Sequence, residues 1–276
     1  MSVKPNFVGI GGQKCASTWL SECLRAHPQV FMSSPKELRY FSDNFDKGID
    51  WYLDFFKNSG SYKCRGEFAS NYIYSFQAAE RIKSELGDIK VVAVVREPVE
   101  RALSHIKHLI RDGDLPYMKG ELEESDIRKI LEKYPSVVNN SCYKKGLDKY
   151  REIFGISSVF IVSQETCKET PDLVLNALWE FFGVKKGVDI SEGNKIVSAG
   201  VNPRFFWLEE VRRAFFGFAR YRAPWIINLA RKLGFSSVYR TINRGKDVTL
   251  SEDAENYLRR LCSDDWSETK RMLTVK

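Results

Sequence analysis

The sequence has no Cys-x-x-Cys pair and no Cys/His spacing typical of a metal site, although it contains six cysteines. Structural zinc sites and disulfide scaffolds depend on such spacing, so the pattern argues against both. No cluster of carboxylates suggests a metal-dependent site either. We therefore expect reduced thiols that mostly serve as packing residues. They are Cys15, Cys23, Cys64, Cys142, Cys167 and Cys262.

A long hydrophobic run is also missing from the chain. No stretch approaches the roughly 20 apolar residues that a membrane-spanning helix needs. The first apolar segment begins at Phe7 and is not preceded by the basic region of a secretory signal. From these two absences we expect a cytoplasmic protein.

The composition is that of a soluble globular protein, with 43% hydrophobic and 29% charged residues. A chain of 276 residues is long enough to bury a large core. Since the sequence shows neither an internal repeat nor a linker, it predicts a single α/β domain over residues 1–276. We place the core and its motifs at about 6–184 and a helical C-terminal part at about 200–276.

Residues 7–20, FVGIGGQKCASTWL, have the order of a strand, a glycine turn and a helix. Such a turn points backbone N–H groups and the positive end of a helix at one spot, and glycines let an anion approach closely. Lys14 adds a full charge, so the predicted ligand is a phosphate. The alternative is an ordinary turn with a surface lysine. The predicted binding residues are Gly11, Gly12, Gln13, Lys14, Cys15, Ala16, Ser17 and Thr18.

This loop departs from the phosphate loop of nucleotide triphosphatases. That pattern has Gly directly before the Lys and Ser or Thr directly after it. Gln13 and Cys15 occupy those two places here. A nucleotide-dependent kinase or triphosphatase is therefore the less favoured alternative for this loop.

A second candidate phosphate site follows residues 90–95, KVVAVV. A continuous β-branched run without a polar face is typical of a central parallel strand buried on both sides. The run ends at Arg96, and open α/β sheets bind ligands at the carboxyl ends of their strands. Ser104 lies two turns into the next predicted helix, so both side chains could hold one phosphate. The alternative is that Arg96 pairs with a neighbouring glutamate, Glu97 or Glu100.

Together, the order Gly-Gly-x-Lys-x-x-Ser-Thr-Trp-Leu and the stretch VVAVVREPVERALSHIKH resemble the two phosphate motifs of sulfotransferases that use 3′-phosphoadenosine 5′-phosphosulfate (PAPS). The resemblance covers residues 6–184 closely and residues 243–273 more loosely. It implies a phosphate-loop-like fold, in which helices flank a central parallel sheet. It also implies an enzyme that transfers a sulfuryl group, without a metal, and leaves 3′-phosphoadenosine 5′-phosphate (PAP).

The resemblance also implies roles for individual residues. Lys14 would neutralise the leaving group, while the loop around it holds the 5′-phosphate. Arg96 and Ser104 would hold the 3′-phosphate. The family often has a basic, glycine-containing loop over the cofactor, and a looser match to it is Arg244, Gly245 and Lys246.

The acceptor must lose a proton, so a base has to be within reach. Glu37, in the stretch KELRYF, resembles the catalytic Glu of glycosaminoglycan and bacterial sulfotransferases. Arg39 stands where those relatives often have His, which leaves open whether Arg39 takes part in catalysis. Phe68 replaces a Lys that glycosaminoglycan enzymes carry near the acceptor. A sugar hydroxyl, a lipid head group and another small molecule all remain open as acceptors.

Residues 204–240 contain ten aromatic residues together with eight Arg or Lys and two Glu, a net charge of +6. This segment accounts for most of the chain's net charge of +7. Helices packed on the domain, an acceptor cleft, a membrane-surface contact and a homodimer contact all fit it. No recognised module supports nucleic-acid binding. A non-catalytic PAP-binding protein is a further alternative to the enzyme.

Overall fold

The computed structural model describes residues 3–15, 17–116, 118, 120–188, 190 and 247–275. The described residues fall into two compact units. The first unit takes its residues from 1–102, 133–197 and 258–276, and the second from 103–132 and 198–257. The prediction of one domain over residues 1–276 stays a prediction. The whole segment 204–240, to which several roles are assigned above, lies outside the described residues.

The first unit is built on a five-stranded sheet in which every neighbouring pair of strands is parallel. Its strands are β1 (Phe7–Gly9), β2 (Val30–Met32), β3 (Cys64–Phe68), β4 (Lys90–Val95) and β6 (Val159–Ser163). They lie in the order β2, β3, β1, β4, β6. The predicted α/β class and central parallel sheet are confirmed.

Helices follow the strands along the chain. Their bounds are α1 Ser17–Ala26, α2 Gly48–Asp54, α3 Phe76–Leu86, α4 Pro98–Asp112, α5 Glu124–Lys133, α6 Ser136–Asn139, α7 Lys144–Phe154, α8 Gln164–Glu169, α9 Pro171–Phe182 and α10 Glu252–Arg271. Short 3-10 turns lie at Phe45–Lys47, Tyr72–Tyr74 and Ile156–Ser158.

Strand β4 has the bounds that its β-branched run predicts, and Val91–Val95 are all buried. It pairs with β1 on one side and with β6 on the other. A strand covered on both faces can be apolar throughout, which explains why its sequence does not alternate. Because β1 and β4 are neighbours and parallel, the loops at their carboxyl ends lie at one edge of the sheet.

Local sequence signals set several helix ends. Ser75 caps α3, and its hydroxyl accepts a hydrogen bond from the Ala78 N–H. Pro171 occupies the first turn of α9, where its missing N–H costs nothing. That helix ends at Gly183, whose left-handed conformation closes the last turn.

The second unit contains a two-stranded parallel sheet formed by β5 (Gly120–Leu122) and β7 (Val248–Leu250). Lys107 forms an ion pair with Asp247 at 2.9 Å, and the Arg128 guanidinium lies over the Tyr257 ring at 4.2 Å. Among the helices described, none combines the length and the apolar character that crossing a membrane would require.

Candidate active site

The predicted phosphate loop continues directly from β1. The Ile10 N–H donates to the Val92 carbonyl at 2.8 Å, and the Gly12 N–H donates to the Val94 carbonyl at 2.9 Å. These two bonds extend the pairing with β4 beyond the last residue of β1. The chain then turns through Lys14, and α1 begins at Ser17. The predicted order of strand, turn and helix is confirmed.

Gly12 is needed because the protein packs closely behind the loop. A Cβ atom at this position would lie 2.9 Å from the Cys15 Sγ, 2.9 Å from the Tyr74 hydroxyl and 3.0 Å from the Tyr143 ring. Contacts this short would force the loop or its support to move. The glycine therefore fixes where the loop lies above Tyr74 and Tyr143.

Lys14 has a left-handed backbone conformation, with φ at 69°. Residues other than glycine seldom adopt this conformation, and strain of this kind concentrates at functional sites. The Lys14 carbonyl accepts a hydrogen bond of 3.3 Å from the Arg96 guanidinium. The Arg96 side chain is thus joined to the backbone of the predicted phosphate loop.

Arg96 stands directly after β4, as predicted, and its side chain is only 14% exposed. It forms an ion pair of 2.8 Å with Glu100, in the first turn of α4, and this is the contact that the alternative interpretation predicts. Its Nε–H is nevertheless buried and has no hydrogen-bond partner among the residues that the structure describes. A buried donor of this kind can accommodate an anionic ligand.

Glu37 lies in a loop that hangs from the end of β3. The Glu37 N–H donates to the Phe68 carbonyl at 3.1 Å, and the next N–H, that of Leu38, donates to the Glu67 carboxylate at 3.0 Å. Glu37 and Arg39 both have positive φ angles, 61° and 50°. Two hydrogen bonds from consecutive N–H groups thus hold a strained turn in place.

The Glu37 carboxylate accepts a hydrogen bond of 3.0 Å from the Arg39 guanidinium. Arg39 also forms an ion pair of 3.5 Å with Asp43, and its side chain is 40% exposed. The predicted base therefore has a cation beside it at the place where relatives often have His.

Glu67, which is fully buried, supports the loop that contains Glu37. Its carboxylate accepts a hydrogen bond from the Tyr72 hydroxyl at 2.8 Å as well as the one from Leu38. Burial raises the pKa of Glu67 to about 7, although both hydrogen bonds lower it. The sequence motifs assign no role to Glu67.

Two further residues were not predicted from the sequence. The Lys36 ammonium donates to the hydroxyls of Ser17 and Thr18 at 3.1 and 3.0 Å. It also lies 4.0 Å from the Glu37 carboxylate. The only sequence signal for Lys36 is its place next to Glu37.

Tyr143 is the second residue that sequence reasoning missed. Its hydroxyl donates to the Arg96 carbonyl at 3.0 Å and lies 3.5 Å from the Cys15 Sγ. The Tyr143 side chain is fully buried, so it supports both loops from within the core. Burial also raises the pKa of the Cys15 thiol to about 11, which keeps it neutral at pH 7.

The other predicted residues lie in the second unit or outside the described residues. Ser104 lies on α4 and belongs to the second unit. Ala16, Arg244, Gly245 and Lys246 lie outside the described residues. Their roles, including that of Ser104, stay predictions. In the part of the chain that the structure describes, no group of three or more His, Cys, Asp or Glu could hold a metal ion.

No model of a known protein family matches the chain. Curated proteins do match parts of the chain. The human heparan sulfate glucosamine 3-O-sulfotransferase 3B1 is 28% identical over 183 residues, which are 66% of this chain and 47% of that protein. The membrane-associated sulfotransferase kil1 of Dictyostelium discoideum is 32% identical over 157 residues, 54% of this chain and 32% of that protein. Over roughly half to two thirds of its length, the chain is therefore similar to sulfotransferases.

The sulfotransferase fold is also what the structure comparison finds. A sulfotransferase from Alicyclobacillus acidocaldarius matches 68% of this chain and 85% of its own chain, with a TM-score of 0.60 and 23% identity. This likeness concerns the fold alone. The chain spans about half or less of the length of the curated sulfotransferases named above, 47% and 32%.

Proposed function

We propose that this chain transfers the sulfuryl group of PAPS to a hydroxyl or amine of a carbohydrate acceptor. One observation carries the proposal. The carbonyl of Lys14, in its strained loop after β1, accepts a hydrogen bond from the Arg96 guanidinium at the end of the neighbouring strand β4. Two cationic residues at the ends of adjacent parallel strands suit a ligand with several anionic groups.

The donors present fit such a nucleotide. The hydroxyls of Ser17 and Thr18 open helix α1, whose N-terminus favours an anion. The buried Nε–H of Arg96 provides a further donor without a partner among the described residues. PAPS, when bound, supplies an activated sulfuryl group on its 5′-phosphate.

We infer the following reaction. The acceptor oxygen or nitrogen forms a bond to sulfur, the bond between sulfur and the bridging oxygen breaks, and PAP leaves. Glu37 takes the proton of the acceptor, and the Lys14 ammonium stabilises the negative charge that develops on the leaving oxygen. Catalysis of this kind depends mainly on positioning and charge.

The names of the relatives support a carbohydrate acceptor, because 3-O-sulfotransferase 3B1 is named for its action on heparan sulfate. Phe68, which replaces a cation of such enzymes, is fully buried and packs against β1. It therefore offers no charge to a polyanionic chain, and we favour an acceptor with little negative charge near the reacting group. A cytoplasmic location, a homodimer and membrane contact through 204–240 stay predictions.

A binding and transfer experiment tests the proposal. PAP at about a hundred times its dissociation constant should stabilise the protein by about 2.7 kcal/mol and raise the melting temperature by several degrees. Mg-ATP and 5′-AMP should raise it much less. Radiolabelled PAPS should then transfer its label to at least one member of a panel of unsulfated oligosaccharides.

Variants connect that activity to the site. Lys14→Ala and Arg96→Ala should each lower transfer by roughly a hundredfold, the effect of removing one charge-stabilising donor. Stabilisation by Mg-ATP but not by PAP would instead favour a kinase. PAP binding without transfer to any acceptor would favour a non-catalytic binding protein.

A further inference from the structure

Lys36 connects two parts of the site that lie far apart in the sequence. Its ammonium donates to the hydroxyls of Ser17 and Thr18, the first two residues of α1. On its other side it lies 4.0 Å from the Glu37 carboxylate, and its side chain is only 20% exposed. A mostly buried ammonium thus bridges the phosphate loop and the loop of the predicted base.

This placement is unfavourable unless an anion is also present. The N-terminus of a helix carries a partial positive charge, so an ammonium at the start of α1 is repelled by the helix. Burial adds to the cost, since it lowers the pKa of Lys36, while Glu37 and Glu22 raise it. One carboxylate at 4.0 Å offsets this only in part. A negatively charged ligand at the helix start would offset both the repulsion and the burial.

The hydrogen bonds also determine what the two hydroxyls can do. A hydroxyl has one hydrogen to donate and two lone pairs that accept. Since the oxygens of Ser17 and Thr18 both accept from Lys36, their hydrogens remain available for another acceptor. The ammonium has no lone pair and cannot be that acceptor. Lys36 therefore directs both O–H groups away from itself.

We infer that Lys36 is a positioning residue, which orients the Ser17 and Thr18 hydroxyls toward the 5′-phosphate of the nucleotide and ties that phosphate to the loop of the predicted base. This inference rests on the proposed function, because it assumes that the nucleotide binds with its 5′-phosphate at the start of α1. The inference connects Lys36 with the 5′-phosphate and not with the 3′-phosphate.

Calorimetric titration with two nucleotides tests this assignment without any turnover. PAP carries both phosphates, whereas adenosine 3′-monophosphate lacks the 5′-phosphate. Lys36→Met should weaken PAP binding by at least about tenfold, the effect of losing one charge-assisted contact. It should change the affinity for adenosine 3′-monophosphate less than about twofold, and Lys36→Arg should restore most of the PAP affinity.

Two controls distinguish positioning from a general effect. Lys57→Met removes an exposed lysine of the same unit, which pairs with Asp54, and should leave both affinities unchanged. The double substitution Ser17→Ala and Thr18→Val should weaken PAP binding in the wild type but add little in the Lys36→Met background. Such non-additivity shows that the lysine acts through the hydroxyls.

Each remaining outcome counts against the inference. An equal loss for both nucleotides would show that Lys36 supports the fold of the site, and an unchanged PAP affinity would show that it has no role in binding. Additive losses would mean that it acts independently of Ser17 and Thr18. If the wild type itself does not bind PAP, the proposed function fails together with the inference.

Discussion

The backbone N–H of Leu38 donates to the buried carboxylate of Glu67 at 3.0 Å, directly beside the predicted base Glu37. Because Glu67 has no exposed surface, the base loop depends on a carboxyl group that burial keeps partly protonated near neutral pH. The position of the base is therefore linked to a group that does not itself reach the acceptor.

The first prediction concerns the pH dependence of stability. The pKa of Glu67 is raised from 4.5 to about 7 in the folded protein. The folded state then binds more protons than the unfolded state, so Glu67 lowers the free energy of unfolding as the pH rises from about 4.5 through 7. Glu67→Gln should remove this contribution, which amounts to roughly 3 kcal/mol over that range.

Urea unfolding at several pH values between 4.5 and 8 measures this effect as the difference between wild type and variant. Glu152→Gln, at an exposed position of the same unit, is the control and should leave the pH dependence as it is. Parallel curves for wild type and Glu67→Gln would show that the carboxyl group titrates normally.

The second prediction concerns Tyr143, whose hydroxyl supports both phosphate loops. Tyr143→Phe leaves the Arg96 carbonyl without this donor and should lower the free energy of unfolding by about 1–3 kcal/mol. It should also weaken PAP binding, because the Lys14 and Arg96 loops lose a common support.

Tyr150→Phe is the matched control for this change. Its hydroxyl is equally buried and donates to the Tyr72 carbonyl at 3.2 Å, away from both loops. We expect a similar loss of stability but an unchanged affinity for PAP. Equal affinities for the two variants would contradict a role of Tyr143 in the site.

The third prediction concerns the space behind the phosphate loop. Gly12→Ala places a methyl group about 3 Å from Cys15, Tyr74 and Tyr143. It should lower the free energy of unfolding by about 1–3 kcal/mol, as overpacking does, and weaken PAP binding. Gly60→Ala, where the nearest atom is 3.6 Å away, should be tolerated in a thermal melt. A tolerated Gly12→Ala would mean that the loop can shift freely.

The fourth prediction separates the base from the nucleotide site. Glu37→Gln should lower the turnover number by about 10²–10⁴-fold, the usual contribution of a general base, and leave PAP affinity nearly unchanged. Single-turnover transfer assays and titration with PAP measure the two quantities. Glu80→Gln, exposed and paired with Lys149, is the control. Unchanged turnover in Glu37→Gln would assign proton removal to another group.

Local sequence patterns predicted the sheet and the phosphate loop well. The run KVVAVV predicts the bounds of β4, because a strand covered on both faces can be apolar along most of its length. The glycines before Lys14 mark a turn between a strand and a helix. Both features depend on neighbours in the chain, whereas the number and order of the strands come from the structure.

The supporting contacts could not be predicted in this way. Lys36 meets Ser17 across 19 positions of sequence, Glu67 meets Leu38 across 29, and Tyr143 meets Arg96 across 47. Nothing in the periodicity around Lys36 or Tyr143 indicates which residue will be the partner. The partner of Arg96 could not be predicted either, because its contact with the Lys14 carbonyl appears only in the folded chain.

The sequence by itself therefore determined the class of fold, the parallel strands and the residue types of the candidate site. Those features follow from short-range hydrophobic patterns and from the conformational freedom of glycine. Only the tertiary structure decided that Lys36, Glu67 and Tyr143 support the site. The physical reason is that parallel strands are joined by long crossovers, so residues at the same edge of the sheet come from distant parts of the chain.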